Sequence, residues 1–452
     1  MIRLNPTPEI TICCPTCKTE FNASEWQVTG MHSMCSGNCP RCGKKYFQEI
    51  PVNAGLFYPG TLDAATGKRV DQMPMTNWYV EGLENAYRNR NDEKVNLEVR
   101  KHRELGRARI AILNTIDQTY GHALFELLNA SWYLKQPDVD LIILVQRSML
   151  WLVPDGAAQV WVADLSFGKA GGWYDDLART INREVENRDN VYICRSFVQA
   201  DSLDYNIEDY TRVKPFELDK WDELLEQKPV VTFIWRYDRF WKPVLPHIID
   251  NRFVKKVIPG LLQRLRNNLQ HRWILKFSKA LRKEIPEVDF AIAGMDTRDR
   301  KIPGWIKDFR YPQHADDTAK LQCERYAESH LVMGCNGSSL VIPGCHAGAM
   351  INIVPGDVWA VSAGSFPFRV SSIGDTHFRY IMLPAEVSIK RLVNITLSVL
   401  RDRSLVLLHT SPPWRDHSAK LDNYAWSQAR IKSLETAARF SNESGLVSRK
   451  KD

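Results

Sequence analysis

Two pairs of closely spaced cysteines near the N-terminus constrain this chain more than any other feature. Six of its ten cysteines lie within residues 13–42, and four of them form two C-x-x-C motifs, Cys14 to Cys17 and Cys39 to Cys42. Each motif places two thiolates on one tight turn, and two such turns at this separation are typical of a four-thiolate zinc site. A closed site of four thiolates has no open coordination position, so we expect a structural and not a catalytic zinc.

Other interpretations of these cysteines stay open. Two disulfides would use the same residues, but a reducing compartment disfavours them, and free thiols would not explain the paired spacing. Cys13 and Cys35 are additional thiols, and either could replace a ligand. Gly43 directly follows the second motif and suits a turn that needs a positive φ. The segment resembles the zinc-ribbon heads of many bacterial and archaeal proteins, which implies a ribbon over residues 1–50 that could also dock a protein partner.

The overall composition indicates a folded chain with more than one domain. A length of 452 residues corresponds to two or three domains at about 150 residues each. The net charge of +7 arises from scattered basic residues and gives only a mild preference for anionic ligands. No apolar run reaches the roughly 18 residues that a transmembrane helix needs, and the N-terminus lacks a secretory pattern. We therefore expect a cytoplasmic protein without a transmembrane segment.

From residue 109 onward, short β-branched runs alternate with helical stretches, which predicts parallel sheets covered by helices. A new series of strands begins with the run at 229–235. The charged run at 88–103, which precedes both series, has a helix-compatible pattern. We predict an α/β fold of two Rossmann-like domains separated by a cleft and preceded by the ribbon. The predicted segments are a ribbon at 1–50, a connecting region at 51–105, α/β domains at 106–215 and 216–385, and C-terminal helices with a tail at 386–452.

The first candidate binding loop, residues 336–339, follows an apolar strand over 330–335 and precedes a short helix. Its sequence is Asn-Gly-Ser-Ser. A turn of this kind presents free backbone N–H groups and the positive end of a helix to an anion. The alternative is a plain serine N-cap without a ligand.

The second candidate loop follows the strand at 229–235. Arg236 and Arg239 flank Asp238 there and could offer planar donor forks to a diphosphate. A surface ion pair between Asp238 and Arg239 is the alternative, and such a pair contributes little stability. Because the ends of parallel strands open on one edge of a sheet, we expect Arg236 and Ser338 to meet.

The third candidate loop, residues 114–122, follows the strand over 109–113 and leads into an amphipathic helix over 121–134. Sugar transfer with inversion requires a general base, and Asp117, His122 and Glu126 are the candidates in this region. We predict His122 as the base, with Asp117 next, although a histidine at a helix start more often caps or packs.

The stretch 326–355 resembles the nucleotide-sugar domain of GT-B-fold glycosyltransferases, most closely the fucosyltransferase-like and O-linked sugar transferase families. In those families the turn carries a histidine where this chain has Asn336. The 114–122 loop resembles their acceptor-side loop. The resemblance implies an inverting hexosyl- or deoxyhexosyltransferase that uses a nucleotide-sugar as co-substrate and a glycan, lipid-linked or protein acceptor. The donor-phosphate residues that it implies are Arg236, Gly337, Ser338 and Ser339, with weaker contacts from Asn336 and Arg239.

The sequence lacks the motifs of several other α/β classes. It contains no G-x-G-x-x-G, no P-loop and no G-x-S-x-G, which argues against a dinucleotide oxidoreductase, a P-loop enzyme and a typical α/β-hydrolase. It also lacks H-E-x-x-H spacing, so we expect transfer without a catalytic metal. The alternative function is a non-catalytic binding protein, with a zinc-ribbon recognition module on a degenerate transferase fold.

Overall fold

The structure, a computed structural model, consists of two large β-sheets with helices and a small β-rich N-terminal segment. It confirms the prediction of an α/β fold with parallel sheets. The predicted tail over 402–452 lies outside the described residues. The described ranges are 1–56, 59–70, 78–90, 93–196, 205–241, 259–296, 299–311, 316–355 and 379–401.

The N-terminal segment is built from short antiparallel strands. Strands β2 and β3 form a hairpin that carries the first cysteine motif, and β4 to β7 form a four-stranded sheet. The elements are β1 (Ile2–Arg3), β2 (Thr11–Cys13), β3 (Glu20–Asn22), β4 (Glu25–Val28), β5 (Ser33–Asn38), β6 (Lys45–Glu49), β7 (Thr61–Asp63) and the helix α1 (Trp78–Arg88).

The first large sheet has four parallel strands and an antiparallel strand at each edge. Its order is β1-β12-β9-β10-β11-β8, with β1 and β8 antiparallel to their neighbours. Its further elements are β8 (Leu97–Lys101), β9 (Arg109–Asn114), α2 (Tyr120–Leu128), α3 (Ala130–Leu134), β10 (Val139–Gln146), β11 (Gln159–Ala163), α4 (Asp175–Val185) and β12 (Val191–Ile193). The helical pattern predicted over 88–103 is wrong for most of its length, because α1 ends at Arg88 and residues 97–101 form β8, which pairs with β11.

The N-terminal segment covers one face of this first sheet. Strand residues alternate between the two faces, so that Ile110 and Ile112 of β9 pack with Cys14 and Tyr46, while Ala111 packs on the opposite face with α2. Helix α4 covers the remainder of the first face. The cysteine-rich segment therefore shares a hydrophobic core with the first sheet.

The second large sheet is entirely parallel. Its strand order is β15-β14-β13-β16-β17-β18, which in chain order is 3-2-1-4-5-6, the order of a doubly wound sheet. The order reverses between β13 and β16. Its elements, with the helices before and around them, are α5 (Glu208–Thr211), α6 (Trp221–Gln227), β13 (Val230–Trp235), α7 (Pro259–Glu284), β14 (Asp289–Met295), β15 (Lys307–Tyr311), α8 (Asp316–Glu328), β16 (Leu331–Cys335), α9 (Val341–His346), β17 (Ala349–Val354), β18 (Tyr380–Pro384) and α10 (Ile389–Arg401).

A continuous apolar core joins the two sheets. It includes Leu113 and Phe125 from the first sheet and its helix, and Tyr326 and Ile342 from helices of the second. The outer face of the second sheet is covered by α7 and α10. Residues 1–402 form one compact unit, and the domain boundaries drawn from the sequence stay a prediction. None of the helices in the described ranges has the length and apolarity that crossing a bilayer requires.

Candidate functional site

Two of the predicted loops meet where the strand order of the second sheet reverses. Arg236 directly follows β13, and a short 3-10 turn, Ser338–Leu340, follows β16. The Nη1 of Arg236 donates to Ser339 Oγ at 3.1 Å. In open α/β sheets, ligands bind outside the carboxyl ends of the strands at this type of reversal. The topology therefore marks the surroundings of Arg236 and Ser339 as the candidate site.

Gly337 allows the close approach of these two loops. Its φ is +136°, a conformation that L side chains rarely adopt, and a Cβ there would lie 2.5 Å from Arg236 Nη1. Asn336 is half-buried, and its backbone N–H donates to Ile353 O at 2.9 Å. A glycine at 337 is therefore required both for the backbone and for the position of Arg236.

Asp238 holds the guanidinium of Arg236. Arg236 donates from Nε to Asp238 Oδ1 at 2.8 Å and from Nη2 to Asp238 Oδ2 at 2.7 Å, whereas Arg239 Nε lies 3.7 Å from the same carboxylate. Burial raises the pKa of Asp238, but hydrogen bonds and charge from Arg236 outweigh it, so its pKa lies below the usual value. The main ion pair thus joins Asp238 to Arg236 and not to Arg239, which is nearly half exposed.

The third predicted loop, residues 114–122, contacts the 3-10 turn Ser338–Leu340 through Gly121. A Cβ on Gly121 would lie 2.4 Å from the Cβ of Ser338, so α2 and the 3-10 turn are in direct contact at this point. Since α2 belongs to the first sheet and Ser338 to the second, the predicted acceptor-side and donor-side loops are neighbours.

A cavity of about 190 Å³ lies between the two sheets at this contact. Tyr120, Trp151 and Phe167 contribute its wall from the first sheet. The opposite wall contains Trp235 and Arg236, together with Ser338 and Ser339. Of the predicted site residues, Gly337, Asn336, Arg239, Asp117 and His122 are not among the described residues that line it. The aromatic wall was not predicted, because its three members come from separate loops.

Asp117 and His122 lie beside each other at the start of α2. The His122 Nδ1 is 3.5 Å from Asp117 Oδ1, with Asp117 buried and the His122 side chain 32% exposed. The orientation of Asp117 is fixed because its Oδ1 accepts from the backbone N–H of Thr119 at 2.6 Å. The arrangement places a partly exposed imidazole at ion-pair distance from a buried carboxylate.

Glu126 lies one helical turn beyond His122 and is fully buried. Within the described part of the chain, neither of its carboxyl oxygens has a hydrogen-bond partner. Burial raises the pKa of Glu126 well above its usual range, and the charge of Asp117 raises it further. Burial therefore favours the protonated form of Glu126, and a protonated carboxyl cannot act as a general base.

The four cysteines of the two predicted motifs form a separate cluster. Cys14 Sγ lies 3.6 Å from Cys42 Sγ, Cys17 Sγ lies 3.5 Å from Cys39 Sγ, and all four sulfur atoms lie within 4.8 Å of one another. Sulfur atoms around a tetrahedral ion with bonds of about 2.3 Å would be about 3.8 Å apart. The cluster therefore has the dimensions of a metal site.

The two cysteine turns have the same backbone pattern. Lys18 N–H donates to Cys14 O at 2.8 Å, and Gly43 N–H donates to Cys39 O at 2.9 Å. Both Lys18 and Gly43 have positive φ, as predicted for Gly43. Cys13 is exposed, and neither it nor Cys35, which is buried, belongs to the four-cysteine group.

A hydrogen-bonded link connects the N-terminal segment with the strand that precedes the third loop. Asn114 Nδ2, at the end of β9, donates to Gly30 O at 3.1 Å, and Asn53 Nδ2 donates to Asn114 O at 2.9 Å. Gly171, from the loop after β11, lies close to both Gln118 and Met31. The turn between β4 and β5 thus helps to position the loop that carries Asp117. Nothing in the local sequence around Asn53 signals this link.

No family model matches the sequence, and no curated protein matches it at a significant level. The structure itself establishes an α/β protein with parallel sheets and a four-cysteine group near the N-terminus that is able to hold a metal ion.

Proposed function

We propose that the protein is an inverting glycosyltransferase with a GT-B-like arrangement, which transfers a sugar from a nucleotide-sugar donor to an acceptor hydroxyl. The observation that carries the proposal is the contact between Arg236 and Ser339, at the strand-order reversal and beside a cavity between two sheets. Ligand binding at such reversals is a property of open α/β sheets in general. The resemblance of residues 326–355 to nucleotide-sugar domains supports a donor of this class.

The donor diphosphate would bind at Arg236 and the turn formed by Gly337, Ser338 and Ser339. Arg236 already points one N–H at Ser339 Oγ, and Asp238 fixes the plane of the guanidinium. When the acceptor oxygen attacks the anomeric carbon, the bond from that carbon to the diphosphate oxygen breaks and negative charge develops on the leaving group. A preorganised guanidinium stabilises this charge and replaces a metal ion in that role.

The acceptor proton would pass to His122, with Asp117 as the residue that orients the imidazole. His122 is the accessible member of the pair, and Asp117 is buried and held by the backbone of Thr119. Glu126 is less suitable as the base, because its burial favours the protonated carboxyl. The acceptor is a glycan, a lipid-linked molecule or a protein hydroxyl.

The cysteine cluster would hold a structural zinc. Four thiolates at these separations fit a tetrahedral Zn²⁺ with no position left for substrate. Cys14, Cys17, Cys39 and Cys42 would be its ligands. Cys14 and Tyr46 pack against the first sheet. The ion would therefore hold the N-terminal segment in its position on the face of that sheet.

Slow hydrolysis of nucleotide-sugars tests the proposal. The purified protein is incubated with a panel of uridine, guanosine, adenosine and cytidine diphosphate sugars, and nucleoside diphosphate release is followed by chromatography. A glycosyltransferase releases the diphosphate slowly from at least one donor, and His122→Gln lowers this rate at least tenfold. Arg183→Ala, at an exposed position on α4, serves as the control and keeps the wild-type rate.

A different outcome would support the alternative function. If one nucleotide-sugar binds tightly and remains intact with every acceptor class, the chain is a non-catalytic binding protein. If none binds, the site does not recognise nucleotide-sugars and the proposal fails.

A further inference from the structure

Helix α7 carries an excess of positive charge along its length. It spans Pro259–Glu284 and contains seven arginine or lysine residues, whereas its single acidic residue is Glu284 at its last position. The apolar side of the helix packs in the core of the second sheet through Ile274, Phe277 and Leu281. The packing fixes the rotation of α7, so the opposite side is presented to solvent as a rigid surface.

Five of these cations lie on one exposed face, with neighbours mostly three or four residues apart. Residues at such spacings lie on the same side of an α-helix, and the set spans about 29 Å along the axis. We call this surface the basic face of α7. Its members, all exposed, are Arg264, Arg272, Lys276, Lys279 and Lys283.

The cations of the basic face are not held in ion pairs by the carboxylates of the described ranges. Among the described residues, none of the five cations forms an ion pair. Exposed cations elsewhere do find partners, for example Lys169 with Glu93 at 2.6 Å and Arg100 with Glu98 at 2.6 Å. Like charges four residues apart destabilise a helix, so this arrangement is unfavourable without an anionic partner.

The neighbouring helix α10 also carries exposed positive charge. It packs alongside α7, and the Nη2 of Arg401 lies 3.5 Å from Glu284 O, so the two helices end together. Lys390 and Arg391, near the start of α10, are also exposed. Helix α10 therefore adds exposed cations of its own to this pair of packed helices.

The residues of this surface favour a lipid surface over a nucleic acid. Recognition of single-stranded nucleic acid relies on exposed aromatic rings, whereas the exposed positions of α7 include no aromatic side chain in the described residues. Over residues 263–284 of α7, the large apolar residue that is exposed is the aliphatic Leu265, beside Arg264. Long cationic side chains on a fixed helix, with an aliphatic residue at one end, match a layer of phosphate head groups.

We propose that the basic face of α7 binds an anionic phospholipid surface. The attraction is electrostatic, so it weakens as the ionic strength rises and the Debye length falls. It requires neither a bound donor nor a working transferase site, and its test is therefore independent of the proposed function.

Co-sedimentation of the full-length protein with vesicles tests the proposal. Binding is expected to vesicles of phosphatidylcholine mixed with phosphatidylserine, and not to phosphatidylcholine alone. The variant Arg272→Glu/Lys276→Glu/Lys279→Glu should weaken binding at least about a hundredfold, since each cation near such a surface contributes roughly a fivefold factor. The variant Arg272→Gln/Lys276→Gln/Lys279→Gln repeats the test with a milder change, and circular dichroism verifies that both are folded.

A charge-matched variant separates the basic face from net charge. Lys94→Glu/Lys101→Glu/Arg183→Glu makes the same charge change at exposed residues elsewhere and should bind vesicles within about threefold of wild type. The proposal is overturned if the wild type ignores anionic vesicles at low salt, or if both charge-reversed variants lose binding equally. It is also overturned if an oligonucleotide binds through the basic face and vesicles do not.

Discussion

The contact between Gly121 and Ser338 leads to a quantitative prediction, because it joins helix α2 to the 3-10 turn of the second sheet. A Cβ added at Gly121 would lie 2.4 Å from Ser338 Cβ, whereas ordinary contacts of this kind are 3.4–4 Å. The two segments must separate by about 1 Å to accept Gly121→Ala. Overpacking of this size destabilises a protein by about 1–3 kcal/mol. Alanine stabilises a helix by roughly 0.5–1 kcal/mol relative to glycine, which offsets part of that loss. We expect a net loss of about 1–2 kcal/mol in the free energy of unfolding.

A double-mutant cycle isolates this contact. Ser338→Gly removes the Cβ that the methyl group added at position 121 would contact. The double variant Gly121→Ala/Ser338→Gly should therefore lose about 1–2 kcal/mol less in the free energy of unfolding than the two single variants lose together. Ser338→Ala keeps the Cβ and should give no rescue. Equilibrium urea unfolding followed by circular dichroism measures all variants. If Gly121→Ala is as stable as wild type, or if its effect adds to that of Ser338→Gly within about 0.5 kcal/mol, the two loops are not in contact.

Two further predictions concern the buried acid and the cysteine cluster. The raised pKa of Glu126 means that the unfolded chain loses this proton above about pH 4.5 while the folded chain keeps it, so stability is lost as pH rises. In urea unfolding, Glu126→Gln should therefore gain stability relative to wild type as the pH rises above about 4.5, by at most about 1.4 kcal/mol per pH unit, and a pH-independent difference would contradict this. Cys39→Ser should abolish zinc in elemental analysis and lower hydrogen-exchange protection in β9 and β10, because the cysteine-rich segment covers that sheet. Unchanged protection there would show that the sheet does not depend on the metal.

The central strands could be predicted from the sequence because their signal is local. Strands β9, β13 and β16 are buried on both faces and are therefore largely apolar runs, which identified them within one or two residues. The edge strand β8 was missed since its residues are charged and half-exposed, as edge strands often are. Pairing with β11, and not the local pattern, makes this segment a strand.

The cysteine cluster was predicted residue by residue because ligand spacing is a local property. That the segment would cover a face of the first sheet was not predictable, since the apolar residues that bury it come from β9, β10 and β11. The cysteine-rich segment and the first sheet instead share one hydrophobic core.

The meeting of Arg236 with the 336–339 loop followed from the rule that parallel strands end on one edge. The residue named for this meeting was Ser338, whereas in the structure Arg236 donates to the adjacent Ser339. The donor role of these residues stays a prediction. The close approach of Gly121 depends on the packing of one sheet against the other, which no local pattern encodes. The alternative interpretation of this loop was an ion pair between Asp238 and Arg239. In the structure Arg239 lies 3.7 Å from that carboxylate, but Asp238 accepts two shorter hydrogen bonds from Arg236.

The central claim is that a diphosphate binds through Arg236 at the strand-order reversal of the second sheet. Calorimetric titration with nucleoside diphosphates tests this claim most directly. Wild type should bind at least one nucleoside diphosphate, and Arg236→Ala should weaken it about ten- to a hundredfold, the loss of one charge-assisted contact of about 1.5–3 kcal/mol. Arg236→Lys should recover only part of the affinity because lysine lacks the planar fork, and Arg183→Ala should bind like wild type. Undiminished binding by folded Arg236→Ala protein, or no binding by wild type, would contradict the account.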